Sequence, residues 1–174
     1  FSAAYRLSSL PFLKDNALVS DLKVRASWGK TGNQSIGDYN YFDRYGGNIG
    51  SAFYAIDGSN SAPAVGYHQT AIGNYGSKWE EAVSSNFGLD ASLLNDKLTV
   101  VFDVWQRKTN DLLYPAPLAG PIAGFKTIPF RNIAAMQNNG IDLGLGYKGS
   151  ISNDLKFNVD LNLSHYKNKI TQVN

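Results

Sequence analysis

The chain has 174 residues, of which 43% are hydrophobic and only 17% charged, a composition that excludes a disordered tail. Its formal charge is +2, and the basic residues are spread along the whole chain, so the charge pattern predicts no nucleic-acid partner. The sequence has no cysteine and two distant histidines, which predicts neither disulfides nor a metal site, and no apolar run is long enough for a transmembrane helix.

Alternation of apolar and polar residues predicts six strands, taken here in chain order. A short strand covers about residues 1–7, and a second covers residues 21–28. The third and fourth flank the Asn95-Asp96 dipeptide, and the last two cover residues 141–148 and 154–166, joined by a turn at residues 149–153. The last strand is the most regular, because apolar and polar residues alternate without an error from Leu155 to Ser164.

The Asn95-Asp96 dipeptide predicts a two-residue hairpin turn, and such a turn fixes the register of both flanking strands. In that register Leu89 lies opposite Phe102 on one face, and Gly88 lies opposite Asp103 on the other. One face of the hairpin is then entirely apolar, whereas the other is mostly polar. The residues of the turn and the polarity of the two faces therefore support the same strand pairing.

The links between the predicted strands alternate between short and long, with the two longest at residues 29–79 and 109–139. Both long links fall at one end of the sheet. This arrangement favours an antiparallel, up-and-down transmembrane β-barrel, which has short turns on the periplasmic side and long loops outside. A soluble β-sandwich that binds glycans stays as the alternative, because its core would also be free of charge.

The barrel interpretation assigns each strand residue to lipid or to the lumen. The residues predicted to face lipid are apolar: Leu89, Phe102, Leu143, Leu145, Phe157, Val159 and Leu161. The residues predicted to face the lumen are charged: Asp90, Asp103, Arg107, Asp142, Lys156 and Asp160.

Six strands cannot enclose a lumen of charged side chains, since even the smallest membrane barrels need about eight strands. The first residue falls within a strand, and residues 167–174 are followed by no closing strand. The sequence is therefore expected to be a segment of a larger barrel.

Residues 21–34 read Asp-Leu-Lys-Val-Arg-Ala-Ser-Trp-Gly-Lys-Thr-Gly-Asn-Gln, and further motifs follow in order at Trp79-Glu80, Gly88-Leu89-Asp90, Asp111-Leu112-Leu113, Asn132 and Asn139-Gly140. This series resembles the later part of the barrel of SusC/RagA-type TonB-dependent outer-membrane transporters. The resemblance covers residues 1–174 as one partial barrel domain of a closed barrel of about 22 strands. The family's plug domain and remaining strands lie outside this sequence.

The resemblance implies a bacterial outer-membrane protein that imports bulky nutrients, either oligosaccharides or peptides. It implies three protein or membrane partners: a SusD-like surface lipoprotein that caps the barrel, the periplasmic energy-coupling protein TonB acting through the plug, and the lipid bilayer. It implies no cofactor. The residues themselves predict no enzyme, because no nucleophile, base and orienting group can be assembled from them.

The first long link is unusually rich in aromatic residues for a polar connection. Aromatic rings with polar tips suit sugar faces and protein surfaces. We expect this link to lie outside the cell, where four of its residues are candidate contacts to the substrate or the lid: Tyr39, Tyr41, Tyr45 and Tyr54. The alternative is that these rings pack the loop against itself.

Overall fold

The computed structural model describes residues 1–174 except 12, 14, 15, 17, 36, 49, 51, 60, 117–129, 153 and 174. The described residues form strands and one short 3₁₀ helix, at Leu7–Ser9. The strands are β1 (Ser2–Arg6), β2 (Val19–Asn33), β3 (Arg44–Gly46), β4 (Phe53–Tyr54), β5 (Ala64–Val65), β6 (His68–Ala71), β7 (Glu80–Leu93), β8 (Leu98–Pro115), β9 (Phe130–Ser150) and β10 (Lys156–Val173).

Six of these strands form one antiparallel sheet in the order β1-β2-β7-β8-β9-β10. Each long strand pairs with the next long strand along the chain, which confirms the predicted up-and-down topology. In the first pair, Ala4 lies opposite Arg25, and Tyr5 lies opposite Val24. The four remaining strands lie within the first long link and form two small ladders, β3 with β6 and β4 with β5.

The turn between β7 and β8 lies at the dipeptide that the sequence predicts, although Leu94 before it also has positive φ, at 56°, so β7 ends one residue earlier than a two-residue turn requires. Asn95 and Asp96 both have positive φ, at 57° and 63°, and the N–H of Lys97 donates to the carbonyl of Leu94 at 3.3 Å. Positive φ at both central residues is typical of the hairpin turn whose twist matches the flanking strands. The register that this turn imposes places Gly88 against Asp103, as predicted.

The strands are longer than the alternation of residues indicates, and this corrects the predicted loop bounds. β2 continues to Asn33, and β7 begins at Glu80, so the first long link covers residues 34–79. β8 continues to Pro115, and β9 begins at Phe130. Most of the second predicted loop, residues 109–139, is therefore strand, and its centre at residues 117–129 lies outside the described residues. The sequence did not predict these extensions, because their apolar and polar residues do not alternate regularly.

The last turn also differs slightly from its prediction. β9 ends at Ser150, and the N–H of Ile151 donates to the carbonyl of Leu155 at 2.9 Å, so the turn begins two residues later than residue 149. Asn153, within the predicted turn, lies outside the described residues.

The residues group into two compact units. The first comprises 1–31, 82–109 and 136–171, and it contains β1, most of each long strand and the two short turns that follow β7 and β9. The second comprises 32–81, 110–135 and 172–174, and it contains the small ladders. Among the described residues, the buried apolar side chains are all alanines, and no large side chain is fully buried. No helix in this part of the chain has the length and apolarity to cross a membrane.

Candidate functional site

One face of the six-stranded sheet, here called the charged face, carries an ion-pair cluster centred on Arg25. The Arg25 Nε donates to both carboxylate oxygens of Asp90 at 3.0 Å, and its Nη2 donates to Asp103 Oδ2 at 2.7 Å. Lys23 Nζ lies 3.1 Å from Asp90. A methyl group at Gly88 would lie 2.6 Å from Asp103 Oδ1, so glycine leaves the space that this cluster occupies. The cluster joins three neighbouring strands.

A second contact on the charged face links β8 to β9. The ring of Trp105 lies across Gly140, where a side-chain carbon would be only 2.4 Å from the ring, and its Nε1 donates to Asp142 Oδ2 at 2.7 Å. Covering a strand glycine with a neighbouring aromatic ring is a known way to stabilise a sheet. Trp105 and Asp142 therefore lie on the same face as Arg25.

The other residues predicted to face the lumen follow the same alternation. Asp160 lies beside Gly146 and accepts a hydrogen bond from Asn158 at 2.6 Å. Arg107 lies two residues from Trp105, and Lys156 two residues from Asn158, so both share the charged face. The structure thus places the six predicted residues on one face: Asp90, Asp103, Arg107, Asp142, Lys156 and Asp160. That this face lines a lumen stays a prediction.

The opposite face, here called the apolar face, carries the residues predicted to meet lipid: Leu89, Phe102, Leu143, Leu145, Phe157, Val159 and Leu161. On β10 these side chains are well exposed, with Val159 at 57% and Leu161 at 49%. No second sheet covers them within the described residues, so the core that a sandwich requires is not formed there. Exposed apolar side chains in this number call for a partner surface, either lipid or protein.

In the second unit, two side chains bind the backbone near the start of β7 and the end of β8. Asn132 accepts from the N–H of Lys78 at 2.9 Å, donates to its carbonyl at 2.9 Å, and donates to the carbonyl of Asp111 at 2.6 Å. Glu80 accepts from Asn33 Nδ2 at 2.9 Å and from the N–H of Leu113 at 3.1 Å. Asp111 has a positive φ of 54°, which marks an irregularity in β8. These side chains hold that irregular backbone in place.

The aromatic residues of the first long link remain largely exposed. The exposed fractions are 71% for Tyr39, 49% for Tyr41, 66% for Tyr45 and 57% for Tyr54. Tyr41 also meets Tyr75 edge-to-face, with ring centres 5.4 Å apart. The loop thus uses some ring surface for its own packing and leaves the rest free.

Asp43 fixes the geometry of this aromatic loop. The hydroxyl of Tyr75 donates to Asp43 Oδ2 at 2.5 Å, and the N–H of Gly73 donates to Oδ1 at 2.7 Å. These two bonds, that of Tyr75 first, lower the pKa of the Asp43 carboxyl, and the carboxylate in turn raises the pKa of the Tyr75 hydroxyl. Gly73 can bear no side chain, because a Cβ there would lie 2.3 Å from the carbonyl oxygen of Tyr41.

Within the described ranges, no group of three or more His, Asp or Glu side chains could hold a metal ion. The two carboxylate oxygens of Glu80 accept hydrogen bonds from the side-chain amide of Asn33 and from the N–H of Leu113. The charged clusters have the character of structural ion pairs.

A family model described as the β-barrel of TonB-dependent receptor-like proteins matches residues 1–174. The chain belongs to this family. The assignment agrees with the antiparallel sheet and its two chemically distinct faces, and it confirms the resemblance inferred from the strand and loop motifs.

Named relatives and solved structures support the same family. TonB-dependent receptor P3 of Formosa agariphila is 31% identical over 98% of this chain, and TonB-dependent receptor SusC of Bacteroides thetaiotaomicron is 31% identical over 97%. The RagAB peptide importer in its closed-closed state superposes on 99% of this chain with a TM-score of 0.82 and 29% identity. The chain spans 16% of the length of the two receptors and 18% of the importer chain. It is therefore similar to one portion of these receptor barrels.

Proposed function

We propose that this chain supplies six neighbouring strands of an outer-membrane active transporter that imports bulky nutrients, either oligosaccharides or peptides. The lumen would be bounded by the charged face, and lipid would cover the apolar face. The site would bind and guide a nutrient without catalysis. The family named above supports transport, since its relatives are named as receptors or importers.

The observation that carries this proposal is the contrast between the two faces of a single sheet. The charged face holds the Arg25 cluster, whereas Val159 and Leu161 stay exposed on the apolar face. A barrel in an outer membrane has this polarity, with a polar interior and an apolar outer band about 25 Å tall.

The partners belong to the proposal as well. TonB would supply energy from the periplasmic side through a plug domain, and a SusD-like surface lipoprotein would cap the extracellular side. The exposed tyrosines at positions 39, 41, 45 and 54 are the proposed contacts to that lipoprotein or to the nutrient. A truncated aromatic anchor commonly weakens binding by more than about 1 kcal/mol, which is several-fold in affinity.

The test is deletion of the full-length gene in its host, followed by growth on single polysaccharides or peptide mixtures. Loss of growth on one nutrient, restored by the wild-type gene, supports import. Recovery of the protein from the soluble fraction, or unchanged growth on all nutrients that the host can use, would contradict it.

A second experiment tests the proposed lipoprotein contact. The double variant Tyr39→Ala with Tyr41→Ala should weaken co-purification of the lipoprotein, whereas Lys97→Ala, in the turn between β7 and β8, should not.

A further inference from the structure

The backbone of Tyr39 adopts a conformation that a bulky residue seldom takes. Its φ is 61°, in the left-handed region, where the Cβ atom of a non-glycine residue crowds the following carbonyl oxygen. Asparagine tolerates this region better than tyrosine does, and the next residue, Asn40, is an asparagine. Among the described residues no other ring packs against Tyr39, whose side chain stays 71% exposed. The chain therefore holds this ring outward at a cost in backbone strain.

Hydrogen bonds hold the residue after Tyr39 through both its backbone and its side chain. The carbonyl of Asn40 accepts from the N–H of Asn74 at 2.8 Å, and its side-chain amide donates to Ser77 Oγ at 3.1 Å. The N–H of Phe42 donates to the carbonyl of Tyr39 at 3.1 Å, which closes the turn. The strained conformation is thus fixed by its surroundings, as a strained residue requires.

Asn74 ties the same turn to the first residue of β9. Its Nδ2 donates to the carbonyl of Phe130 at 3.0 Å, and its Oδ1 accepts from the N–H of Gly76 at 3.2 Å. Its own carbonyl accepts from the N–H of Ser77 at 3.0 Å. The position of Tyr39 therefore depends on a long strand as well as on the loop. Asn40, Asn74 and Ser77 are here called the asparagine brace.

Tyr41, two residues further on, is packed differently. Its ring meets those of Phe42 and Tyr75 edge-to-face, with ring centres 5.2 Å and 5.4 Å apart. Of the four candidate tyrosines, Tyr39 is the one with positive φ, and its exposed fraction is the largest. Tyr41 therefore packs the loop against itself, whereas the ring of Tyr39 is available to a partner.

The exposed rings of the braced segments fit a protein surface better than a sugar. Phe42 is 57% exposed, Tyr75 62% and Phe130 47%. Phe42 and Phe130 have no polar tip that could bind the hydroxyl groups of a sugar. Exposed aromatic side chains in such a cluster are typical of the core of a protein–protein interface. The chemistry of the rings around the brace therefore favours a protein partner.

We propose that the asparagine brace preorganises Tyr39 as the anchor of a docking site for a protein partner on the extracellular side. A ring that is already held in its bound position loses less freedom on binding, so the brace raises the affinity without touching the partner. Asn40 and Asn74 are positioning residues that act through Tyr39. The inference rests on the proposed function, in which this partner is the SusD-like lipoprotein, and it assigns Tyr39 to the lipoprotein and not to the nutrient.

The experiment measures binding between the full-length transporter, purified in dodecyl maltoside, and the surface lipoprotein that co-purifies with the wild type. Tyr39→Ala should weaken binding roughly 5- to 30-fold, as truncation of an aromatic anchor does. The matched control is Tyr67→Ala, because Tyr67 lies in the same loop and is 81% exposed but takes no part in the brace. This control should bind as the wild type does.

A second variant tests whether the brace acts through Tyr39. Asn74→Asp keeps an acceptor for the N–H of Gly76 but cannot donate to the carbonyl of Phe130. It should weaken binding when Tyr39 is present and add no further loss to Tyr39→Ala, because residues that act as a unit are not additive.

Equal binding by Tyr39→Ala and Tyr67→Ala would overturn the anchor, and additive losses from Asn74→Asp and Tyr39→Ala would overturn the role of the brace. Hydrogen exchange tests the brace without any partner: residues 39–43 should exchange faster in Asn74→Asp, and unchanged exchange would contradict the proposal. If exchange shows an intact brace but no lipoprotein co-purifies with the wild type, the proposed function fails, and that failure is distinguishable from a failure of the brace.

Discussion

The side chain of Asn132 pairs with the backbone of Lys78 as a strand would, accepting from its N–H and donating to its carbonyl, both at 2.9 Å. The same amide donates to the carbonyl of Asp111 at 2.6 Å. One side chain thus satisfies three backbone groups where regular pairing is interrupted. We expect Asn132→Ala to destabilise the folded protein by about 1–3 kcal/mol, since it leaves polar backbone groups without partners.

The stability of this variant is measured as the urea concentration at the midpoint of unfolding, with the full-length protein refolded into liposomes. The matched control is Asn168→Ala on β10, where the side chain is exposed, and a shift below about 0.5 kcal/mol is expected. If the two asparagine variants unfold at the same urea concentration, the bonds of Asn132 contribute nothing to stability.

Gly140 allows a test of packing on the charged face. A methyl group at this position would lie 2.4 Å from the Trp105 ring, so Gly140→Ala must displace the indole and break its bond to Asp142. We expect a loss of about 1–3 kcal/mol, typical of an overpacked site, together with a red-shifted tryptophan emission. Gly29→Ala is the control, because nothing lies within 4 Å of its added methyl group. Unchanged emission in Gly140→Ala would show that the ring does not cover the glycine.

The alternation of residues predicted the sheet order, the Asn95-Asp96 turn and the two faces, because each depends on local chemistry and a period of two. It did not predict the strand extensions up to Asn33 and Pro115, because the interactions that order them join distant segments. Asn132, for example, bonds to Lys78 across 54 residues.

Arg25 is expected to matter more to stability than other surface cations. It joins two carboxylates, and its side chain is only 32% exposed, so Arg25→Met would leave Asp90 and Asp103 without their shared partner. We expect a loss of about 2 kcal/mol, below the roughly 3–5 kcal/mol of a fully buried pair because solvent screens part of the charge. Arg6→Met, which breaks a pair at a 65% exposed arginine, should cost less than about 1 kcal/mol. Equal urea midpoints for the two variants would contradict this ranking.

Neighbouring residues on β10 test which face meets lipid. Val159 lies on the apolar face and Asn158 on the charged face, and both are exposed in this chain. Val159→Arg should cost about 2–4 kcal/mol in a bilayer if it lies near the midplane, whereas Asn158→Arg should cost far less because water solvates the new charge. The measurement is the free energy of unfolding in liposomes. Equal costs would mean that the two faces are wrongly assigned.

The aromatic loop, residues 34–79, should become less ordered in acid as Asp43 loses its charge. The folded-state pKa of Asp43 is depressed by the hydroxyl of Tyr75 and the N–H of Gly73, so the ionised form stabilises the loop. This stabilisation is complete above the unfolded carboxyl's pKa of about 4 and is lost as the pH falls through the lower, folded value. Limited proteolysis of residues 34–79 should therefore be constant from pH 7 to pH 5 and faster below pH 4, using an acid-active protease. Asp43→Asn should raise cleavage already at neutral pH and remove most of its dependence on pH, whereas Asp38→Asn should behave as the wild type. If Asp43→Asn retains the acid response in full, another group controls the order of the loop.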